Sequence, residues 1–382
     1  MSGARSRELT REQVLAYRVA AQGLHRDASS IAGLGVLDIG VQEAMGHPAA
    51  LAFAARLPPT VALGPGAVAV GPGHPLALAW TMRGAPHVHR RDDLDALGRA
   101  LWPLSEADAA GRLNETGPSV RRAGIPALEQ FTTAVAAMRH AVSAPTAKGA
   151  ASTAVTLRIP ESMRRECRPC RTRHISDPAM RCAACAAGLE IEPGTAPPVL
   201  VPRTHARLPS GPDAAAVGAL ARGYLTYLGP ARVQDVAGYL GARRADLERV
   251  WPAAALMEVR VAGGAAWLPE PCVDLARAAP APDAVRLLGP FDPYLQARDR
   301  DLLVPNRSLH SALWPVLGRP GAVLVDGEIT GTWRTRATAA RLTISVEAFG
   351  ALPGSVWRQL DAEAARVAEV RCVADVVVKR VR

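Results

Sequence analysis

The sequence predicts an α+β chain with more than one domain, and three observations carry that reading. Its 382 residues exceed one small module and suit two or three domains. Three helical stretches followed by a hairpin signal occupy residues 213–270, and residues 284–349 are rich in strand signals. Hydrophobic residues make up 49 %, with a mean hydropathy of +0.06, which is enough for sizeable cores and too much for a disordered chain.

The elements follow in order. Thr10 with Gln13 three residues on forms a capping box, and Val14, Leu15 and Val19 mark a first amphipathic helix. A glycine-containing turn then leads into a helix over 44–57, which Pro58 and Pro59 stop. Residues 61–75 (VALGPGAVAVGPGHP) are too rich in Gly and Pro for a long element, and LALAWTMR, 76–83, reads as a strand. Helices are expected at 92–102, 105–113 and 126–143, then a linker and strand over 144–160.

Helices at 213–228, 232–240 and 243–250 precede MEVRVAGGAAWLPE, 257–270, a hairpin around Gly263 and Gly264. This is the element order of a winged helix-turn-helix, whose third helix enters the major groove of DNA. VLVDGEITGTW, 323–333, is a second hairpin turning at Asp326-Gly327, and a helix at 355–369 and a strand at 371–381 close the chain.

Net charge is +10, from 45 basic and 35 acidic residues, which points towards a polyanionic partner. Only Lys148 and Lys379 among the basic residues are lysines, and aromatics are only 4 %, too few for single-strand stacking platforms. No run approaches the ~20 apolar residues of a membrane span. The N-terminus lacks the apolar core of a secretory signal, so a cytoplasmic, nucleoid-associated protein is expected.

Cys167-Arg-Pro-Cys170 and Cys182-Ala-Ala-Cys185 lie eleven residues apart, a spacing that suits a structural zinc site with four thiolates, with His174 as a substitute ligand. A disulfide or free thiols are the alternatives. Cys272 and Cys372 are isolated and expected in the interior. In LGVLDIGVQEAMGHP, 34–48, Asp38, Gln42 and Glu43 gather at the mouth of a helix. There they either position and deprotonate a water or simply favour the helix dipole.

WTMRGAPHVHRR, 80–91, sets Arg83, His87, His89, Arg90 and Arg91 around a strand end. Alternation places both imidazoles on one face, as a metal site would, but no third ligand is evident, which leaves a phosphate-facing or structural cluster. In LLGPFDPYLQARDRDLLVP, 287–305, Asp292, Arg298 and Arg300 either line a site or form ion pairs. Walker, GxSxG, HExxH and dinucleotide-binding motifs are absent.

Taken together, LTREQVLAYRVAAQGL, LGVLDIGVQ, LALAWTMRGAPHVHRRDDL, ARGYLTYLGPARVQDVAGYLG, LLGPFDPYLQARDR and VLVDGEITGTWR resemble the AlkZ/YcaQ family of winged-helix DNA glycosylases, in the family's order and across nearly the whole chain. The resemblance implies tandem winged-helix modules followed by a C-terminal β-barrel-like domain. The divisions are N-terminal modules over 1–150, a linker and four-cysteine lobe over 151–205, a winged-helix module over 206–280 and a β-rich domain over 281–382.

It also implies monofunctional excision of alkylated, N7-adducted purines from duplex DNA, unhooking of interstrand crosslinks, and self-resistance of antibiotic producers. The family's catalytic Gln-Φ-Gln or Gln-Φ-Asp motif falls on Gly40-Val41-Gln42, so Gln42 matches the second polar position and glycine replaces the first. On this reading Gln42 orients the water, and Asp38 or Glu43 supplies the electrostatic partner. No cofactor is needed for catalysis, and a monomer on DNA is expected. The alternative is a non-catalytic winged-helix DNA-binding protein, a regulator or lesion sequesterer.

Overall fold

The computed structural model describes residues 7–63, 70–114, 124–338 and 341–381. Helices and strands interleave in an α+β arrangement, and the chain divides into two compact units. One comprises Met1–Ala69, Arg222–Arg232 and Ala253–Arg382; the other comprises Val70–Ala221 and Val233–Pro252. Residues 151–205 fall within the second unit and 281–382 within the first, whereas 1–150 and 206–280 each contribute to both.

The first unit starts with the expected capping box. Thr10 accepts from the Gln13 amide, and the Gln13 side chain accepts from Thr10, fixing the start of helix Arg11–Ala21. Val14 and Tyr17 from this helix pack with Val259, Leu268 and Val273 in a small core. Those partners come from the hairpin Leu256–Val261/Gly264–Pro269 and the helix Glu270–Ala278. Strand Glu8–Leu9 adds in parallel to the hairpin. The hairpin turn is Ala262-Gly263, both at positive φ, so Gly264 pairs with Val261 inside the ladder.

The same unit carries a five-stranded sheet: Val285–Leu288, Gly321–Val325, Glu328–Ala337 and Arg341–Ala348 run antiparallel, and Asp375–Val381 joins in parallel. The parallel join needs a crossover, supplied by helix Gly354–Val370. The turn Asp326-Gly327 is the two-residue type expected from its sequence. This sheet is open, with Val285–Leu288 and Asp375–Val381 at its edges. The barrel-like expectation is therefore corrected to an open sheet backed by a helix.

Two buried ion pairs tie distant segments of this unit together. Arg56 donates to both oxygens of Asp292 at 2.9 Å, and neither side chain has any solvent exposure. Arg18, also fully buried, donates to Asp299 at 2.6 Å and to the carbonyls of Gly229 and Pro230. Asp292 is thus an ion-pair partner in the core.

Within the second unit the strands Pro86–Arg90, Leu76–Trp80, Leu189–Ile191, Val199–Pro202 and Thr146–Ala147 form an antiparallel sheet in that order. Helices Ala127–Ala141 and Asp177–Ala184 pack beside each other. The stretch expected as linker and strand after residue 144 instead holds helix Lys148–Thr156. The second and third helices of the predicted three-helix run, Val233–Leu240 and Arg244–Arg249, also belong here. The first, Ala214–Leu228, crosses from one unit into the other. Part of the Gly/Pro-rich stretch, 64–69, lies outside the described residues. No helix among the described residues is long and apolar enough to cross a membrane.

Candidate active site

The segment carrying Asp38, Gln42 and Glu43 is not the start of a helix. Gly35–Asp38 is a single 3-10 turn, Gly40 takes φ +81°, and Val41–Gln42 is a two-residue strand. The helix begins later, at Pro48, behind His47 in the left-handed region. Proline at the first helical position explains this start. The helix-dipole reading of Asp38 and Glu43 is thereby corrected, because both precede Pro48–Arg56 by more than one turn.

Asp38 is exposed, and its Oδ2 accepts a hydrogen bond from the Tyr227 hydroxyl at 2.8 Å. Tyr227 reaches it by crossing Gly35, where a Cβ would stand 2.6 Å from the ring. The turn needs glycine at 35 for that close approach. Gln42 is half-buried, and its side-chain amide makes no hydrogen bond among the described residues. Gly40 at positive φ strains any L side chain, so the backbone here is arranged around glycine.

Glu43 is half-buried and accepts from the Ala44 amide at 2.8 Å. Burial pushes its pKa up to about 7, against the opposing pull of that hydrogen bond and of Arg371. At neutral pH this carboxyl therefore exchanges a proton readily, as a general acid or base must. The turn offers an Asp38 side chain oriented by a phenol, an amide with open hydrogen-bonding capacity, and a Glu43 carboxyl poised near neutrality. Tyr227 and Arg371 escaped sequence reasoning, and both lie far along the chain from the residues they serve.

The proposed DNA-contacting residues divide by burial. His87 and His89 are 1 % and 0 % exposed and share the Thr81 hydroxyl at 2.9 and 3.1 Å. Desolvation holds the His87 imidazole well below its usual range, so it is neutral. Their common face points inward, and the phosphate-contacting role is corrected to a structural one. Arg91 is also turned inward, donating to the buried Glu190 at 2.7 Å and to the carbonyls of His74 and Leu76.

Arg90 is half-buried with Asp93 at 3.6 Å. Arg83 is exposed, stacked 5.1 Å over the Tyr239 ring and bonded to the Tyr239 carbonyl. In the first unit Arg298 and Arg300 are joined by Arg319, unnoticed in the sequence. Partial burial lowers Arg300 and Arg319, and mutual repulsion within the trio lowers them further. Arg300 stacks over Trp314 at 4.8 Å and Arg319 over Phe291 at 5.2 Å. Such a clustering of cations suits an anionic partner.

The two cysteine pairs do not converge. Cys167 and Cys170 meet His174, with donor atoms all within 4.8 Å of one another. Cys182 lies on helix Asp177–Ala184 and faces the Arg112 carbonyl at 3.6 Å, whereas Cys185 donates to the Leu94 carbonyl at 3.7 Å. Burial pushes the Cys185 thiol up to about 11 and raises Cys182 as well, so both are protonated packing groups. The four-thiolate arrangement is corrected accordingly. Cys272 is buried as expected, but Cys372 is exposed.

A family model described as DNA glycosylase AlkZ-like matches residues 31–370 of this chain. Among solved structures, the Streptomyces sahachiroi DNA glycosylase AlkZ superposes with a TM-score of 0.74 at 20 % identity, covering 98 % of this chain and 100 % of that one. At this identity the likeness establishes the fold. No curated protein matches the sequence.

Proposed function

The chain belongs to the AlkZ-like DNA glycosylase family, and from that premise we propose that it is a monofunctional glycosylase hydrolysing the N-glycosidic bond of N7-alkylated purines in duplex DNA. The carrying observation is the Gly35–Gln42 turn, with Asp38 oriented by Tyr227 and the Gln42 amide unengaged among the described residues. N7-alkylation makes the purine cationic and weakens its bond to C1′. As the C1′–N9 bond breaks, its electron pair neutralises the purine, and positive charge develops on the sugar.

The Asp38 carboxylate stabilises that charge, and Gln42 orients a water whose oxygen bonds to C1′. The water's proton passes to Glu43, whose carboxyl is poised near neutrality. A lysine Schiff base is unnecessary, which suits a chain with only Lys148 and Lys379.

The Arg298, Arg300 and Arg319 cluster serves the phosphate backbone. A winged-helix reading rests on chain order alone, with the helices Ala214–Leu228, Val233–Leu240 and Arg244–Arg249 preceding the hairpin Leu256–Val261/Gly264–Pro269. A monomer acting on bulky adducts or crosslinks, as in self-protection against a genotoxin, is the setting this chemistry suits.

The test is base release from duplexes carrying N7-methylguanine or bulkier N7 adducts. Release should fall at least ~100-fold in Gln42→Ala with duplex affinity intact. One observation favours a second reading. Gly40 stands, at positive φ, where the family motif carries a polar side chain. A non-catalytic DNA-binding protein would bind duplex tightly and release no base.

A further inference from the structure

We propose that Cys167, Cys170 and His174 hold a zinc ion through three protein ligands, leaving the fourth position to solvent. The hairpin Arg165–Cys167/Thr172–His174 has arms of three residues each. A two-stranded hairpin this short is marginal by itself in water. Its turn, with Arg171 at φ +51°, brings Cys170 back towards Cys167; the register sets Cys167 opposite Thr172, and alternation places His174, two residues on from Thr172, on that same face of the hairpin.

All three donor atoms lie within 4.8 Å of one another. Tetrahedral coordination at Zn–S ~2.3 Å and Zn–N ~2.0 Å spaces donors ~3.5–3.8 Å apart, so only a small closure is needed.

The imidazole is already oriented for this role. His174 Nδ1 lies 2.6 Å from the Ile175 carbonyl. A carbonyl only accepts, so Nδ1 carries the proton and Nε2 keeps its lone pair for a metal. This outer hydrogen bond is the kind that fixes metal-binding histidines. Two thiolates and one imidazole select a borderline-soft cation such as zinc over calcium or magnesium.

Among the described residues no fourth Cys, His, Asp or Glu joins the group, and Cys170 is exposed, so the remaining position faces water. His174 stands two residues before Ser176, which caps helix Asp177–Ala184, so the ion would pin the hairpin to that helix's start. None of these residues enters the glycosylase chemistry.

The test is metal content of the full chain purified under reducing conditions after growth with added zinc. About one zinc per chain is expected, falling at least ~five-fold in Cys167→Ser, Cys170→Ser and His174→Asn. Cys182→Ser and Cys185→Ser should retain it. Should the ligand variants fold poorly, two measurements stand without them. Cobalt added to the metal-stripped wild type should give tetrahedral d–d bands with thiolate charge transfer. His174→Cys should bind cobalt with added charge-transfer intensity. Less than half an equivalent of zinc, loss of zinc in Cys182→Ser or Cys185→Ser, an octahedral cobalt spectrum, or a Cys167–Cys170 disulfide in the freshly isolated protein would overturn the assignment.

Discussion

The Tyr227 hydroxyl donates to Asp38 Oδ2 at 2.8 Å across the Cα of Gly35. Two residues 189 positions apart are thus coupled through a glycine that leaves just enough room for the ring. Removing the hydroxyl leaves the packing but frees the carboxylate to rotate. Tyr227→Phe should slow base release about ten-fold, the worth of a ~1.4 kcal/mol hydrogen bond to a charged group. Its melting temperature should move by only a few degrees. Unchanged release in single-turnover assays would remove Asp38 from the chemistry.

Glu43 sets a pH dependence whose sign follows from its burial. Its folded pKa lies at about 7, above the ordinary glutamate value of 4.5. Between these values the native state holds the proton more tightly than the unfolded chain does. Stability is therefore full below about pH 4.5 and declines as pH rises towards 7, by on the order of 2–3 kcal/mol. Glu43→Gln should flatten that slope in denaturation curves taken from about pH 4.5 to 8. The same variant should abolish a rise in base release with an inflection near pH 7, expected when Glu43 accepts the water's proton. Arg371→Ala should move the inflection upwards, because it removes the cation that favours the carboxylate.

Much of the fold could be read from local signals. The Thr10/Gln13 capping box and the Asp326-Gly327 turn stand where the sequence puts them, because each depends on a few adjacent residues. Failures came where a pattern had two physical meanings. Residues His87 and His89 do share a face, but alternation cannot say whether that face meets solvent or the core. A CxxC pair reads alike on a metal-binding turn and on a helix, and Cys182 proved helical. The KGAASTAVT run mixes three alanines with Gly149 and the β-branched Thr153, Val155 and Thr156, so its propensity is ambiguous, and it is helical in the fold. The pairing of Asp38 with Tyr227 and the approach of Arg371 to Glu43 left no local trace at all.

The buried pair of Arg56 and Asp292 makes a strong stability prediction. Asp292 also accepts from the Tyr294 amide at 2.9 Å, so its loss strands both a cation and a backbone donor. Asp292→Ala should cost about 3–5 kcal/mol in urea denaturation. The double variant with Arg56→Met should recover much of that loss, because it removes the uncompensated charge. If the single variant costs under about 1 kcal/mol, the pair is not buried in solution.

Arg300 and Arg319 separate DNA binding from folding. Each is partly desolvated beside like charges and rests on an aromatic ring, so each is held in place while its charge seeks an anion. Arg91 is the natural contrast, since its guanidinium is committed to Glu190 inside the second unit. Replacing Arg300 and Arg319 by Gln should weaken duplex binding and make log K less steep in log salt by about 0.9 for each phosphate no longer neutralised. Thermal stability should stay nearly constant, because relief of repulsion offsets the lost stacking. Arg91→Gln should behave in the opposite way, lowering the melting temperature while leaving the salt slope intact. An unchanged slope in the Arg300/Arg319 variant would shift the DNA-binding face away from this cluster.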